Sequence, residues 1–109
     1  MITGASNGIG KGLANRLAKP GVFLAISGRN PSDLKIVCKQ CQSKGAKVVA
    51  KAIDVTDEKA MRKWMINVDK THPLDLVIAN AGISINTSGK LKKTTQLRRM
   101  LDTNVFGVL

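Results

Sequence analysis

The sequence predicts an α/β fold built on a parallel sheet, and two observations support this prediction. Short apolar runs alternate along the chain with longer segments whose apolar residues recur at helical spacing, which is typical of parallel strands covered by helices. A glycine cluster, Gly4, Gly8 and Gly10, separates the first apolar run from the first helical segment. Because 109 residues leave room for one domain, we expect residues 1–109 to share a single sheet.

The glycine cluster lies in a strand-to-helix turn. Met1-Ile2-Thr3 is typical of the end of a strand, and Ile9–Leu17 has the apolar spacing of a helix. In such a turn Gly4 permits the tight bend, Gly8 lets the backbone approach a pyrophosphate, and Gly10 lets the helix pack closely on the strand. The free N–H groups of the helix N-terminus then face the anion, so the turn predicts a dinucleotide site.

A second strand, Val22–Ser27, leads into the next candidate contacts, Arg29 and Asn30. In a dinucleotide-binding fold an acidic residue at the end of this strand binds the 2′-hydroxyl of NAD. Gly28 takes that place here, and the Arg29 guanidinium is available to bind a 2′-phosphate. The sequence therefore favours NADP, with NAD as the weaker prediction and a solvated turn arginine as the alternative for Arg29.

The rest of the chain continues the alternation of helices and strands. Ser32 is a candidate N-cap for the second helix, and Thr56 or Asp57 for the third. Asp54 follows a strand, at the edge where α/β sheets bind ligands. The predicted elements are a helix over Leu34–Ser43, a strand over Val48–Ile53, a helix over about 58–71, a strand over Leu74–Ala79 and a helix over 96–109.

Four motifs in order resemble the short-chain dehydrogenase/reductase family: Thr3-Gly4-x-x-x-Gly8-Ile9-Gly10, Asp54-Val55, Asn80-Ala81-Gly82 and Asn104. The resemblance covers essentially the whole chain. It implies a Rossmann-like three-layer parallel sheet, truncated, with strand order 3-2-1-4, that binds NAD(P).

The resemblance also implies roles for individual residues. It implies that Asp54 accepts a hydrogen bond from the adenine amino group and that the Val55 backbone lies on the ring edge. It implies that Asn104 is the active-site asparagine, which helps to hold a water and a lysine in a proton relay. The other implied contacts are Ser6, Asn7 and Ile9 at the phosphates, and Asn80, Ala81 and Gly82 beside the ribose.

The chain departs from the family in its chemistry. It contains no tyrosine, and the family's catalytic serine and Tyr-x-x-x-Lys would follow Leu109. We therefore expect the N-terminal cofactor half of an oxidoreductase, inactive alone. The complete protein would transfer a hydride between NADPH and a small carbonyl or alcohol substrate. A non-catalytic dinucleotide-binding module or a gene remnant is the alternative.

Charge suggests a second, weaker alternative. The net charge is +11, from 18 basic and 7 acidic side chains, and a basic surface can bind nucleic acid. With 3% aromatic residues and no nucleic-acid-binding motif, we expect a solvated lysine-rich surface and no specific nucleic-acid partner. The densest basic cluster is Lys90, Lys92, Lys93, Arg98 and Arg99.

Cysteines and hydropathy complete the expectations. Cys38 and Cys41 would need two more ligands to hold zinc and the chain has one histidine, so structural thiols and no metal are predicted. The sequence shows no signal peptide and no apolar run of about 18 residues, so a cytoplasmic protein without membrane contact is expected. We also expect a homo-oligomer, or a fold completed by a C-terminal segment.

Overall fold

The computed structural model describes residues 1–81. Within them helices and strands alternate, as predicted. The elements are α1 (Gly8–Leu17), β1 (Phe23–Gly28), α2 (Pro31–Ser43), β2 (Lys47–Ala52) and α3 (Glu58–Thr71). The helix predicted over 96–109, the basic cluster and two site residues, Gly82 and Asn104, lie outside the described residues.

The two strands form a parallel pair, which confirms the predicted sheet type. Phe23 lies opposite Lys47, and Gly28 lies opposite Ala52. Parallel strands need a crossover connection, and α2 supplies it between β1 and β2.

Residues 1–3 and 74–79, both predicted as strands, contribute isolated bridges to this sheet. Ile2 lies between Ile26 and Ile78 and bridges both in parallel. Its N–H donates to the Ala25 carbonyl at 2.8 Å, and on the other side the Thr3 N–H donates to the Ile78 carbonyl at 3.1 Å. A four-strand order of 3-2-1-4 stays a prediction, because only β1 and β2 are formed as full strands in the described part of the chain.

Helix starts follow side-chain caps, with one correction to the sequence prediction. The N-cap of α2 is Asn30 and not Ser32, because the Asn30 Oδ1 accepts from the Ser32 N–H at 3.0 Å and the Asp33 N–H at 3.2 Å. Pro31 then takes the first helical position, where its missing N–H costs nothing. Asp57 caps α3 by accepting from the Ala60 N–H at 3.1 Å.

Apolar side chains cover both faces of β1 and of residues 1–2, which gives three layers there, whereas β2 is mostly exposed. On one face Ile2, Leu24 and Ile26 pack with α1 and α2 residues that include Ala14 and Val37. On the other face Met1, Ala25 and Val68 pack together, with Phe23, Trp64, Met65 and Leu74 against them. Packing against the helices therefore fixes the positions of the carboxyl ends of the strands.

Both cysteines belong to the first of these cores. Cys41 is fully buried, and the partly buried Cys38 packs against the same cluster. Burial raises the pKa of the Cys41 thiol, which keeps it protonated and unreactive. The structure thus gives both thiols a packing role.

Candidate cofactor-binding site

The glycine loop lies over the carboxyl end of β1. The Ala5 N–H donates to the Ser27 carbonyl at 2.9 Å, directly before β1 ends at Gly28. This edge of an open parallel sheet is where α/β proteins bind their ligands. The loop and the residues that follow β1 and β2 are therefore the parts from which a site can be built.

The three glycines of the loop have different steric surroundings. Gly4 has a φ of +66°, and a Cβ built there would lie 2.7 Å from the Ala81 Cα. A Cβ on Gly10 would collide with the Gly4 carbonyl oxygen and lie 2.5 Å from the Asn80 Nδ2. Gly8 has a φ of +54°, and within residues 1–81 no atom lies within 4 Å of such a Cβ. Gly4 and Gly10 thus allow close packing, whereas Gly8 faces open space.

The N-terminus of α1 has no side-chain cap within the described residues. Its N-cap, Asn7, is extended, with φ −154° and ψ 177°, and makes no side-chain cap hydrogen bond within the described residues. The first turn of α1 contains no acidic residue, whereas α2 has Asp33 and α3 has Glu58 there. Within residues 1–81, the positive end of the α1 dipole therefore lacks the first-turn carboxylate that the other two helices have.

Ile9 lies at this open end. The helical spacing that predicted α1 also includes Ile9, but its side chain is 76% exposed while Ala14 is fully buried. An exposed isoleucine beside free helix amides suits a surface that a ligand covers. The implied role of Ile9 at the phosphates fits this exposure.

Residues 80 and 81 are hydrogen-bonded to the start of the loop. The Asn80 N–H donates to the Thr3 Oγ1 at 3.1 Å, and the Ala81 N–H donates to the same oxygen at 3.2 Å. The Asn80 Nδ2 also donates to the Gly4 carbonyl at 3.2 Å. Sequence reasoning did not assign Thr3 a role of its own. The sequence did contain a sign of this role, because Thr3 places a hydroxyl at the end of the first strand, directly before the first loop glycine.

Replacing Thr3 with valine tests this anchor. The substitution keeps the side-chain shape of a residue that is 7% exposed but removes the acceptor of two N–H groups. We expect the free energy of unfolding to fall by about 1 kcal/mol, because the partly buried Ala81 N–H loses its acceptor whereas the Asn80 N–H keeps the Ile78 carbonyl at 3.1 Å. Urea unfolding measures the loss, and Thr3→Ser, which keeps the hydroxyl, should retain most of the stability. Equal stabilities for the valine variant and the parent chain would contradict the anchor.

The end of β1 brings Ser6 beside Gly28. A Cβ on Gly28 would lie 2.9 Å from the Ser6 Oγ, so the serine side chain takes the space that a side chain at position 28 would need. Arg29 and Asn30 follow and are both exposed. The Asn30 Oδ1 is occupied as the cap of α2, which leaves its Nδ2 as the group available to a ligand.

Asp54 presents a charged carboxylate at the end of β2. Its Oδ1 accepts from the Thr56 N–H at 3.0 Å and the Thr56 Oγ1 at 2.8 Å. The hydrogen bond from the Thr56 backbone is the main reason that the pKa of Asp54 is lowered; the Thr56 hydroxyl and the Arg29 charge also lower it, and burial opposes them. The neighbouring Val55 is buried, so its side chain fixes this turn in place.

The structure thus joins most of the predicted site residues within one edge of the sheet. Gly4 lies against Asn80 and Ala81, Gly10 lies against Asn80, and Ser6 lies beside Gly28. Arg29 acts electrostatically on Asp54, which links the ends of β1 and β2.

The sequence of the chain is similar to those of known proteins. Residues 1–109 match the family model of the short chain dehydrogenases. The chain is 37% identical over 108 residues to an uncharacterized oxidoreductase of Myxococcus xanthus (strain DK1622), covering 98% of this chain and 43% of that protein. It is 33% identical over 110 residues to a diacetyl reductase [(S)-acetoin forming] of Staphylococcus epidermidis (strain ATCC 12228 / FDA PCI 1200), covering 100% of this chain and 43% of that protein.

The fold of the chain is also similar to that of a solved structure. NAD+-bound xylitol dehydrogenase superimposes with a TM-score of 0.84 at 27% identity, over 98% of this chain and 42% of that one. The chain therefore spans less than half the length of the relatives that it matches. Since the family model matches every residue from 1 to 109, the chain belongs to the short-chain dehydrogenase family.

Proposed function

We propose that this chain is the dinucleotide-binding part of an NADP-dependent oxidoreductase of the short-chain dehydrogenase type. The uncapped N-terminus of α1 carries the proposal, because it adjoins the open Gly8 position at the carboxyl edge of a parallel sheet. In the complete protein, the reaction would be hydride transfer from NADPH to the carbonyl carbon of a small substrate, or in reverse from an alcohol carbon to NADP+.

The pyrophosphate would bind at the glycine loop. The amides of Gly8, Ile9 and Gly10 form the first turn of α1, and the dipole favours negative charge there. The polar side chains of Ser6 and Asn7 border the same turn. The residues therefore fit a diphosphate, because a Cβ on Gly8 would project into the space that such a group needs.

The adenosine end would bind at the ends of β1 and β2. Asp54 suits an amino-group donor, because its pKa is lowered and its carboxylate is charged at neutral pH. We propose that it accepts from the adenine amino group, with the Val55 backbone at the ring edge. Asn80 and Ala81 lie against the glycine loop and would border the ribose together with Gly82.

The preference for NADP is supported by the chain's own residues at the end of β1. Gly28 provides no carboxylate for a 2′-hydroxyl, and the Ser6 hydroxyl lies where an acidic side chain would begin. The exposed Arg29 next to it can form paired, charge-assisted hydrogen bonds with a phosphate. The xylitol dehydrogenase is described as NAD+-bound, so the proposed preference distinguishes this chain from that neighbour.

The cofactor and the complete protein would contribute different parts of the reaction. A bound nicotinamide would supply or accept the hydride, and residues of the complete protein would orient the ring and move a proton. We propose that Asn104 helps to hold a water and a lysine of the proton relay in the complete protein. The name of the diacetyl reductase supports a small carbonyl substrate. Because this chain has no tyrosine, we expect no turnover from it alone.

Calorimetric titration of the purified chain with NADPH and with NADH, at two salt concentrations, tests the proposal. Saturable binding that is tighter for NADPH is the expected result, and the difference should shrink at high salt because the 2′-phosphate interaction is electrostatic. Absence of binding by either cofactor would refute it. Salt-sensitive binding of DNA or RNA without cofactor binding would instead favour a basic interaction protein.

A further inference from the structure

Strand β2 lies at an edge of the sheet in the described part of the chain. The sheet has the order β1-β2, so β2 has a strand neighbour on one side within residues 1–81. The Lys47 N–H donates to the Val22 carbonyl and the Ile53 N–H donates to the Gly28 carbonyl, both at 3.0 Å. The odd-numbered residues of β2 therefore direct their backbone groups toward β1.

The other edge of β2 presents backbone groups to a further strand. Successive residues of a strand direct their N–H and C=O groups to opposite sides, so Val48, Ala50 and Ala52 direct theirs away from β1. We call these three the outer-edge residues. Within residues 1–81 no backbone partner is described for them. Because β2 is six residues long, its outer edge can act as a template for an added strand.

One face of β2 is exposed as well. Residues opposite each other in a sheet point to the same face, and Val49 lies opposite Ala25, which belongs to the core with α3. Val49 is nevertheless 38% exposed, and Lys47 and Lys51 on the same face are exposed too. On the opposite face, Val48 packs against the core with α1 and α2. The exposed face of β2 is thus an apolar side chain between two lysines.

The charge around this edge is of one sign. Residues 34–53, which include all of β2 and most of α2, contain no aspartate or glutamate. Their five charged side chains are all lysines, namely Lys35, Lys39, Lys44, Lys47 and Lys51. A positive surface of this kind attracts an acidic partner and repels a basic one.

Two occupants of this edge that the chain itself could supply have the wrong charge. A second copy paired antiparallel through β2 would bring four lysines onto one face of the joined strands. With the two Val49 residues opposite each other, each Lys47 would lie opposite the Lys51 of the other copy, and like charges there are destabilising. Residues 82–109 contain five basic residues and one acidic residue, Asp102. The charge therefore favours an acidic strand from a different protein.

We propose that the outer edge of β2 binds an extended acidic segment of a partner protein, which joins the sheet as an added strand. The backbone of that segment pairs with the outer-edge residues, and two acidic side chains lie beside Lys47 and Lys51. Because alternate residues of a strand share a face, the acidic residues belong at positions i and i+4, with an apolar residue at i+2 beside Val49. In this mode of recognition, backbone hydrogen bonds supply affinity and the alternate side chains supply specificity.

Titration of the full chain with short peptides, followed by NMR of the backbone amides, tests the proposal. The probe is the peptide Thr-Glu-Thr-Val-Thr-Glu-Thr with both ends blocked, and a second peptide has lysine in place of both glutamates. A control of equal charge keeps the glutamates but has proline at the three positions between them, where proline cannot donate to a strand. We expect the glutamate peptide to bind about tenfold more tightly than either of the others and to slow hydrogen exchange of the outer-edge amides.

Reversing the charge of β2 gives the matched test on the protein. The double variant Lys47→Glu with Lys51→Glu is expected to reverse the preference, so that the lysine peptide binds about tenfold more tightly than the glutamate peptide. The control is Lys59→Glu with Lys63→Glu, which changes the net charge equally at exposed positions of α3. This control should keep the preference of the parent chain for the glutamate peptide.

Four results would overturn the proposal. Failure of the glutamate peptide to bind would mean that the lysines only keep the edge solvated. Equal binding of the proline control, or equal effects of the two charge-reversal variants, would mean that net charge alone attracts the peptide. Outer-edge amides that are already protected from exchange in the free chain would mean that residues 82–109 or a second copy cover the edge.

Discussion

Replacing Gly10 with alanine is expected to destabilise the fold by about 3 kcal/mol and to abolish binding of either dinucleotide. The added methyl group would collide with the Gly4 carbonyl and lie 2.5 Å from the Asn80 Nδ2, so the loop and the start of α1 must separate. Overpacking a tight contact costs about 1–3 kcal/mol, and this contact involves backbone that cannot rotate away. Urea unfolding and calorimetric titration measure the two effects.

Gly12→Ala is the matched control for that experiment. Gly12 lies in the same helix, and within residues 1–81 no atom lies within 4 Å of a Cβ built there. Alanine in an open helical position should raise stability by about 0.5–1 kcal/mol, because it loses less conformational freedom than glycine on folding. If both alanine variants changed stability in the same direction and by the same amount, close packing at Gly10 would not explain the loop.

Replacing Arg29 with alanine is expected to weaken NADPH binding by about 10-fold to 100-fold and to change NADH binding less than about twofold. A charge-assisted hydrogen bond contributes about 1.5–3 kcal/mol, and about 1.4 kcal/mol corresponds to a factor of ten. The arginine is exposed at the end of β1, so its loss should leave the fold intact. Calorimetric titrations with both cofactors at one salt concentration measure the difference.

Arg16→Ala provides the control for charge. Arg16 is exposed in the last turn of α1, so its removal lowers the net charge equally without touching the proposed phosphate site. We expect both cofactors to bind this variant like the parent chain. Equal weakening of NADPH and NADH by the Arg29 variant would remove the 2′-phosphate assignment, and equal effects of the Arg16 and Arg29 variants would reduce it to a general charge effect.

Most of the fold could be predicted because its signals are local. The apolar runs and the helical spacing predict β1, β2 and all three described helices within a few residues, because both patterns lie within each segment. Residues 1–3 and 74–79 form bridges and not full strands, and local pattern could not show this. Their pairing depends on how far two segments over 70 residues apart overlap in space.

The candidate site was predictable to a smaller extent. The loop glycines follow from spacing, but the exposure of Ile9 does not, because helical periodicity places it with the buried Ala14. Asn30 and Ser32 are both residue types that commonly cap helices. Asn30 is the cap because Pro31, which follows it, suits the first helical position. Thr3 was missed since its acceptor role depends on amides that are 77 and 78 residues away.

The long distance along the chain between Thr3 and its two donors affects the order in which the site folds. Thr3 leaves the ribosome before Asn80 and Ala81, which lie 77 and 78 residues further along the chain. Forming a contact between such distant residues carries a large loop-closure entropy, so it forms late in folding. The glycine loop is therefore synthesised before the residues that hold it, and we expect a nascent chain to give the loop its final geometry only after residue 81 has emerged.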